Sequence, residues 1–193
     1  MNLQTIESAI TAYPICAYAF IQIQDIPFKE EERHICRTEC PRYGKSWSCP
    51  PAVGTVEECK KRCEAYEGGF LFTTMTEVSD IENMDELLST RAEHEKLTHQ
   101  IRELFQNQQQ ETLTLSTESC AVCQRCAWPD APCRFPDRML PCMEGYGILV
   151  TGLAEQCGIA FLSGNNLVTW FSLILYRESH VHRKGYRIAA SGI

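Results

Sequence analysis

Four segments of the chain have the hydrophobic patterns of β-strands. The segments Cys16–Ile23 and Gly69–Val78 are rich in aromatic and β-branched residues. The segment Thr112–Thr117 alternates between polar and apolar residues, whereas Leu167–Tyr176 is apolar on both faces. Because a strand covered on both faces has no polar side, we expect Leu167–Tyr176 to lie in the interior of the sheet.

Three segments between these strands have helical patterns. "TVEECKKRCEAY" begins with Thr55 as the expected N-cap, and Glu58 completes a capping box. A longer helix is expected to begin after Ser79 or Asp80 and to end in the polar run "QNQQQE", because apolar residues recur between them at helical spacing. A third helix is expected over "CMEGYGILVTGLAEQCG", with Gly158 as its end.

This order of elements predicts an α+β fold with a small mixed β-sheet of about four strands and helices packed on it. Two cysteine-rich loops, at about residues 34–63 and 118–143, interrupt the order and are expected to meet at one end. A length of 193 residues and an apolar content of 44% suit one domain over residues 1–178. Residues 179–193 are predicted to be a basic, flexible tail.

The net charge and two segments of the chain indicate which partners and which cellular compartment to expect. The net charge of -7 and the pI of about 5.3 disfavour a broad nucleic-acid or membrane-surface interface. The N-terminal segment lacks the pattern of a secretory signal, and the apolar stretch of the last strand is too short to span a bilayer. We therefore expect a cytoplasmic protein that binds neither nucleic acid nor membrane, and the sequence does not indicate its oligomeric state.

The chain contains twelve cysteines, and ten of them lie between Cys36 and Cys142. A reducing compartment disfavours disulfides, so metal binding is the natural interpretation of this clustering. Cys16 and Cys157 stand apart and are expected to be buried thiols.

The cysteine group in "CAVCQRCAWPDAPC" has the spacing of an iron-sulfur loop. Two residues separate Cys120 from Cys123 and Cys123 from Cys126, so three thiolates can converge on one cluster, as in bacterial ferredoxins. Cys133 follows after six residues, and either it or Cys142 is the candidate fourth ligand. Zinc is the alternative, although zinc ribbons normally use two separated pairs of cysteines. Unliganded thiols are the remaining interpretation.

The other group, in "CRTECPRYGKSWSC", contributes Cys36, Cys40 and Cys49. The spacing places Cys36 and Cys40 on one face of a helical turn, and Cys49 returns after the turn at "YGK". Cys59 and Cys63 are candidates for a fourth ligand. Four thiolates suit electron transfer or structure, whereas three leave one iron open for Lewis-acid or redox chemistry. Tyr43, Trp47 and Trp128, within the loops, are candidates to shield the clusters from water.

The two loops, "ICRTECPRYGKSWSCPP" and "CAVCQRCAWPDAPCRFPDRMLPCMEGYGI", resemble a cysteine-rich family of predicted metal-binding proteins, domain of unknown function 2284, found mainly in anaerobic bacteria and archaea. The resemblance extends from about Cys36 to Tyr176 and implies metal binding but no reaction. The family ligands that it implies are Cys36, Cys40, Cys49, Cys120, Cys123, Cys126 and Cys133. By the same resemblance, the additions of this sequence are Cys59, Cys63 and Cys142.

Three functions remain open from the sequence. The favoured one is a cytoplasmic iron-sulfur protein with one or two 4Fe-4S clusters that transfers electrons to or from a redox partner protein. The second is an enzyme or activase that uses an open-coordination cluster. The third is a zinc-stabilised protein-interaction module.

Overall fold

The structure, a computed structural model, describes residues 3–161, 164 and 166–178, and the predicted tail lies outside the described residues. Its helices are α1 (Leu3–Ile10), α2 (Glu30–Thr38), α3 (Val56–Glu64), α4 (Met84–Asn107) and α5 (Val150–Gln156). Its strands are β1 (Ala17–Ile21), β2 (Gly68–Glu77), β3 (Gln110–Ser116) and β4 (Leu167–Glu178). Short 3-10 turns occur at Ile23–Asp25 and Glu144–Tyr146.

The four strands form one sheet in the order β1-β2-β4-β3, with β4 in the interior as predicted. The α+β class and the number of strands are confirmed. All three strand pairings are antiparallel, whereas the sequence predicted a mixed sheet. The strands β2 and β3, which α4 connects, do run in the same direction, but β4 lies between them and is antiparallel to both.

Helices cover both faces of the sheet, which explains the apolar pattern of β4. Leu173 and Leu175 belong to the core that α3 and α5 form on one face. Ile174 packs on the other face against Ile101 and Phe105 of α4. Because successive strand residues point to opposite faces, β4 needs apolar residues throughout its length.

A buried polar network joins α4 to the sheet. The two ring nitrogens of His94 lie 2.8 Å from Thr74 Oγ1 and 2.9 Å from Ser172 Oγ. The hydroxyl of Thr98 lies 2.9 Å from the same Ser172 oxygen. His94 is 2% exposed, and its burial lowers its pKa to about 4, so the imidazole is neutral at neutral pH. The network therefore fixes the position of α4 without a buried charge on the histidine.

The predicted third helix is divided in the structure. Gly147 separates the turn at Glu144–Tyr146 from α5 and has a left-handed φ of +79°. The N–H group of Leu149 then donates to the carbonyl of Pro27, which holds the chain extended before α5 begins. The predicted end of the helix is confirmed, since Gly158 follows α5 with a φ of +66°.

The other helices differ from the predictions mainly at their beginnings. The capping box of α3 at Thr55 and Glu58 is confirmed. Helix α4 begins later than expected, because Asn83 caps it by accepting a hydrogen bond from the backbone N–H of Glu86. Ile81 therefore lies before the helix and is 48% exposed. The sequence pattern predicts neither α1 nor α2, which are short, and α2 buries none of its residues.

Candidate metal centres

Four cysteines from two distant segments line one cavity of about 190 Å³. Cys36 lies on α2, Cys40 follows two residues after the end of that helix, and Cys49 follows the turn at "YGK". Cys142 arrives from the far end of the second loop, just before the turn at Glu144–Tyr146. We name Cys36, Cys40, Cys49 and Cys142 the first centre.

Contacts between the segment that precedes α2 and the segment that precedes α5 assemble the first centre. Phe28 and Ile148 form an antiparallel bridge. Arg33 of α2 donates through Nε to the carbonyl of Gly145 at 2.6 Å, so α2 is held beside the turn that carries Cys142. A Cβ on Gly145 would lie 3.2 Å from the Cβ of Cys142, and glycine at this position therefore permits the close approach.

The structure does not bring the two cysteines of α3 to this cavity. Cys59 and Cys63 are fully buried in the core between α3 and the sheet. The thiol of Cys59 donates to the carbonyl of Val53 at 3.4 Å and accepts from Arg62 at 3.0 Å. Their spacing of four residues places them on the helix face that packs on the sheet, which is why they do not line the first centre.

Cys49 lies in the best environment for a thiolate. Hydrogen bonds from Cys142, Ser119 and Ser48 lower the pKa of Cys49 to about 6, although its burial acts in the opposite direction. The bond with Cys49, together with burial, raises the pKa of Cys142 well above its ordinary value. Cys142 has one thiol hydrogen, and a carboxylate oxygen of Glu144, 2.9 Å from its sulfur, is the alternative acceptor.

Three carboxylates line the same cavity, those of Glu32, Glu118 and Glu144. Glu144 lies deepest, and burial raises its pKa to about 7. The guanidinium of Arg33 is the opposing charge, and it acts to lower the pKa of Cys36, which burial raises to about 11. The charged side chains around the first centre are therefore predominantly negative. This negative charge favours bound metal cations and disfavours the addition of an electron to a cluster.

The loop between β3 and the turn at Glu144–Tyr146 carries the second group, which we name the second centre: Cys120, Cys123, Cys126 and Cys133. Burial raises the pKa of Cys120. Burial acts to raise the pKa of Cys126, but hydrogen bonds from the backbone N–H groups of Trp128 and Trp47 and from the Ser46 hydroxyl lower it.

The two cysteine loops meet, as the sequence predicted. Trp47 donates through Nε1 to the carbonyl of Ala131 at 3.0 Å, and its ring packs edge-on against Trp128 with centroids 4.6 Å apart. The backbone N–H of Cys120 donates to Ser48 Oγ at 2.8 Å. Ser48 directly precedes Cys49 in the sequence. Its side chain therefore lies next to Cys49 of the first centre and in contact with Cys120 of the second centre.

All twelve cysteines lie in the described part of the chain, and none forms a disulfide. Cys16, which was expected to be buried, is exposed, and Cys157 is partly exposed. Within residues 3–161, 164 and 166–178, no three Cys, His, Asp or Glu side chains converge closely enough to ligate a single metal ion. In the same residues, no helix has both the length and the hydropathy that crossing a bilayer requires.

The donor chemistry of both centres fits an iron-sulfur cluster. Such clusters are held by four cysteine thiolates. The first centre supplies four cysteines that line one cavity, and the second supplies four that are neighbours along one loop of the sequence. Spacing along the sequence does not place Cys142 at the first cavity, because Cys142 is far from Cys49 along the chain. Ser46, Ser48 and Glu144 were also missed, because nothing in their spacing distinguishes them from other polar residues.

Fold and site together define a cysteine-rich α+β protein of the kind that binds metal. The model of the predicted metal-binding protein family, DUF2284, matches residues 19–176. The chain belongs to this family, and the matched region contains both centres and all four strands except the first residues of β1 and the last residues of β4. No curated protein and no solved structure matches the chain.

Proposed function

We propose that the protein is an iron-sulfur electron-transfer protein that holds one 4Fe-4S cluster at each centre and exchanges electrons with a redox partner protein. The observation that carries the proposal is the cavity of about 190 Å³ lined by Cys36, Cys40, Cys49 and Cys142. These cysteines come from distant segments, and the cavity adjoins a second loop with ferredoxin-like cysteine spacing.

The size of the first cavity supports a cluster over a single zinc ion. Four thiolates around zinc lie about 2.3 Å from the ion and enclose it without further space. A cavity of about 190 Å³ is several times the roughly 30 Å³ that a water molecule occupies in the liquid. A cluster of several iron and sulfide atoms suits a space of this size.

The contact between the two loops supports electron transfer. A 4Fe-4S cluster bound at either centre would supply a one-electron redox couple. Ser48 contacts residues of both centres, so bound clusters would be close neighbours. The aromatic pair of Trp47 and Trp128 covers the junction, and Tyr43 lines the first cavity. These rings would limit the access of water to bound clusters, which is one determinant of a cluster's potential.

One observation favours an enzyme or activase as the second candidate function. The thiol of Cys142 can donate to Glu144, and a cysteine must lose its proton to ligate a metal. If Cys142 remains a thiol, three cysteines ligate the first cluster and one iron is open to a small-molecule ligand. The neighbouring Glu144 would then be placed to exchange a proton with that ligand.

Anaerobic reductive titration monitored by electron paramagnetic resonance tests the proposal. We expect two one-electron reductions with the signals of 4Fe-4S clusters, and no change of the spectrum on addition of cyanide. A spectrum that cyanide changes at one cluster would instead support the open-coordination enzyme. A protein without any reducible cluster would contradict both candidates and leave the zinc-stabilised interaction module.

A further inference from the structure

Helix α2 presents an unpartnered face beside the first cavity. None of its residues is buried, although it carries Cys36 of the first centre. Ile35 is 48% exposed and also lines the cavity, so the exposed face of the helix adjoins the entrance of the cavity. A single exposed apolar residue is ordinary on a protein surface, but this one lies where a partner must approach to exchange electrons with the first centre.

Four glutamates surround Ile35. Glu31 and Glu39 lie four positions before and after it, and the N–H group of Glu39 donates to the carbonyl of Ile35, so the helical turn extends that far. Residues at this spacing share one side of a helix, and both glutamates are exposed. Glu32 and Glu118 line the cavity together with Ile35. We name these five residues the docking face, which has an apolar centre and an acidic rim.

The cations of α2 lie on its other side. Arg33 donates to the carbonyl of Gly145, and together with Arg37 it lines a separate groove between α2 and the beginning of α3. Arg42 and Lys45, exposed in the turn that follows Cys40, are not among the described residues that line the first cavity. The negative charge of α2 is therefore concentrated on the side of the first cavity.

We propose that the docking face binds a redox partner protein with a basic surface around an exposed apolar edge of its prosthetic group. The inference rests on the proposed electron-transfer function. Opposite charges steer the partner to the acidic rim, and Ile35 supplies the apolar contact at the centre of the interface. In the complex one electron passes from the reduced cluster of the first centre to the oxidised group of the partner. No bond and no proton changes place.

A basic partner fits the docking face better than a second copy of the chain. In a dimer with two-fold symmetry the same patch meets itself, so the glutamates of both copies would approach each other. Like charges across an interface oppose association. The net charge of -7 extends this repulsion to the whole chain.

Stopped-flow electron transfer to a basic c-type cytochrome tests the docking face. This probe has lysines around its exposed haem edge, and the absorbance of the haem reports its reduction by the reduced protein. We expect the rate constant of the wild type to fall at least about tenfold between about 0.01 M and about 1 M salt. The reason is that the Debye length shortens from about 30 Å to about 3 Å over this range.

Two charge-reversal variants provide a matched comparison. Glu31→Lys with Glu39→Lys is expected to lower the rate about tenfold at low salt and to have no effect at high salt. Glu93→Lys with Glu103→Lys makes the same change of net charge at exposed residues of α4, which packs on the sheet face opposite α3 and α5. This control is expected to stay within about twofold of the wild type. Ile35→Ser is expected to lower the rate about tenfold at both salt concentrations, since salt does not screen an apolar contact.

A small uncharged quinone, which accepts one electron at a time, serves as the second oxidant. Its rate is expected to be the same for the wild type and both charge-reversal variants, because it needs no charged docking face. This comparison shows whether a variant has lost its cluster or only its partner.

The results separate failure of the docking face from failure of the function. Equal cytochrome rates in the two charge-reversal variants, or a wild-type rate that salt does not change, would refute the docking face and leave the proposed function intact. A wild-type dimer that Ile35→Ser dissociates would show that a second copy covers the face, and would also refute the proposal. A wild-type protein that reduces neither oxidant would refute the proposed function itself.

Discussion

Removal of two thiols from the first centre gives the sharpest prediction about the ligands. The double variant Cys49→Ala and Cys142→Ala leaves two of the four cysteines that line the cavity. Two thiolates cannot hold a cubane against loss to solvent, so this cluster is expected to be absent. Since each 4Fe-4S cluster contains four irons and four sulfides, the content falls from about eight of each per chain to about four.

The matched control is the double variant Cys59→Ala and Cys63→Ala. Both thiols are fully buried but lie in the core under α3 rather than at the cavity. We expect this variant to keep about eight irons and eight sulfides. It is expected to lose about 1 kcal/mol of unfolding free energy for each small core truncation. Iron and sulfide analysis of anaerobically purified protein is the assay, with thermal unfolding as the check of stability.

The opposite result would refute the ligand assignment. If the control lost half of its iron and the first variant did not, the ligands of the first centre would include the cysteines of α3, as the sequence allowed. Equal loss in both variants would show that the iron content depends on the stability of the fold and not on the four thiols of the cavity.

Three further predictions follow from the surroundings of the centres and from the core. His94 titrates near pH 4 in the folded protein against an ordinary value of 6.5, so the unfolded state binds more protons as the pH falls through 6.5. Between pH 7 and pH 5, the wild type should lose about 2 kcal/mol more unfolding free energy than His94→Gln in parallel urea titrations, and equal losses would contradict the neutral buried imidazole. Glu144→Gln removes a half-buried carboxylate beside the first centre and should raise the potential of that cluster by roughly tens of millivolts, whereas a change at the second centre alone would contradict the placement. Trp47→Ala removes the ring contact with Trp128 and one hydrogen bond, so it should destabilise the junction of the loops by about 1–2 kcal/mol and speed hydrogen exchange in the second loop. Unchanged exchange there would refute this role of the tryptophan.

The sequence predicted the sheet well because strand patterns are local. The apolar run of β4 indicated an interior strand, and the structure covers both of its faces with helices. The direction of pairing was not predictable in the same way, because it depends on β4 entering between two strands that are far from it in sequence. The break at Gly147 was missed because a glycine in a helical pattern is compatible with either a helix or a turn.

The sites were predictable to a similar degree. Spacing within each loop identified Cys36, Cys40 and Cys49 as one group, and these residues do line one cavity. Spacing cannot identify a cysteine that arrives from another segment, so the sequence named Cys142 a candidate fourth ligand of the other group, whereas the structure places it at the cavity of Cys36, Cys40 and Cys49. The decisive contacts are long-range ones, such as the bond from Arg33 to Gly145 that holds α2 beside that turn.

The central claim, that the two cysteine groups hold iron-sulfur clusters, is tested most directly by metal analysis. The measurement is iron, acid-labile sulfide and zinc per chain on anaerobically purified protein, read beside the visible spectrum. We predict about eight irons and about eight sulfides with a broad absorption band in the blue, as two 4Fe-4S clusters would give. Stoichiometric zinc without sulfide in a colourless protein would contradict the account.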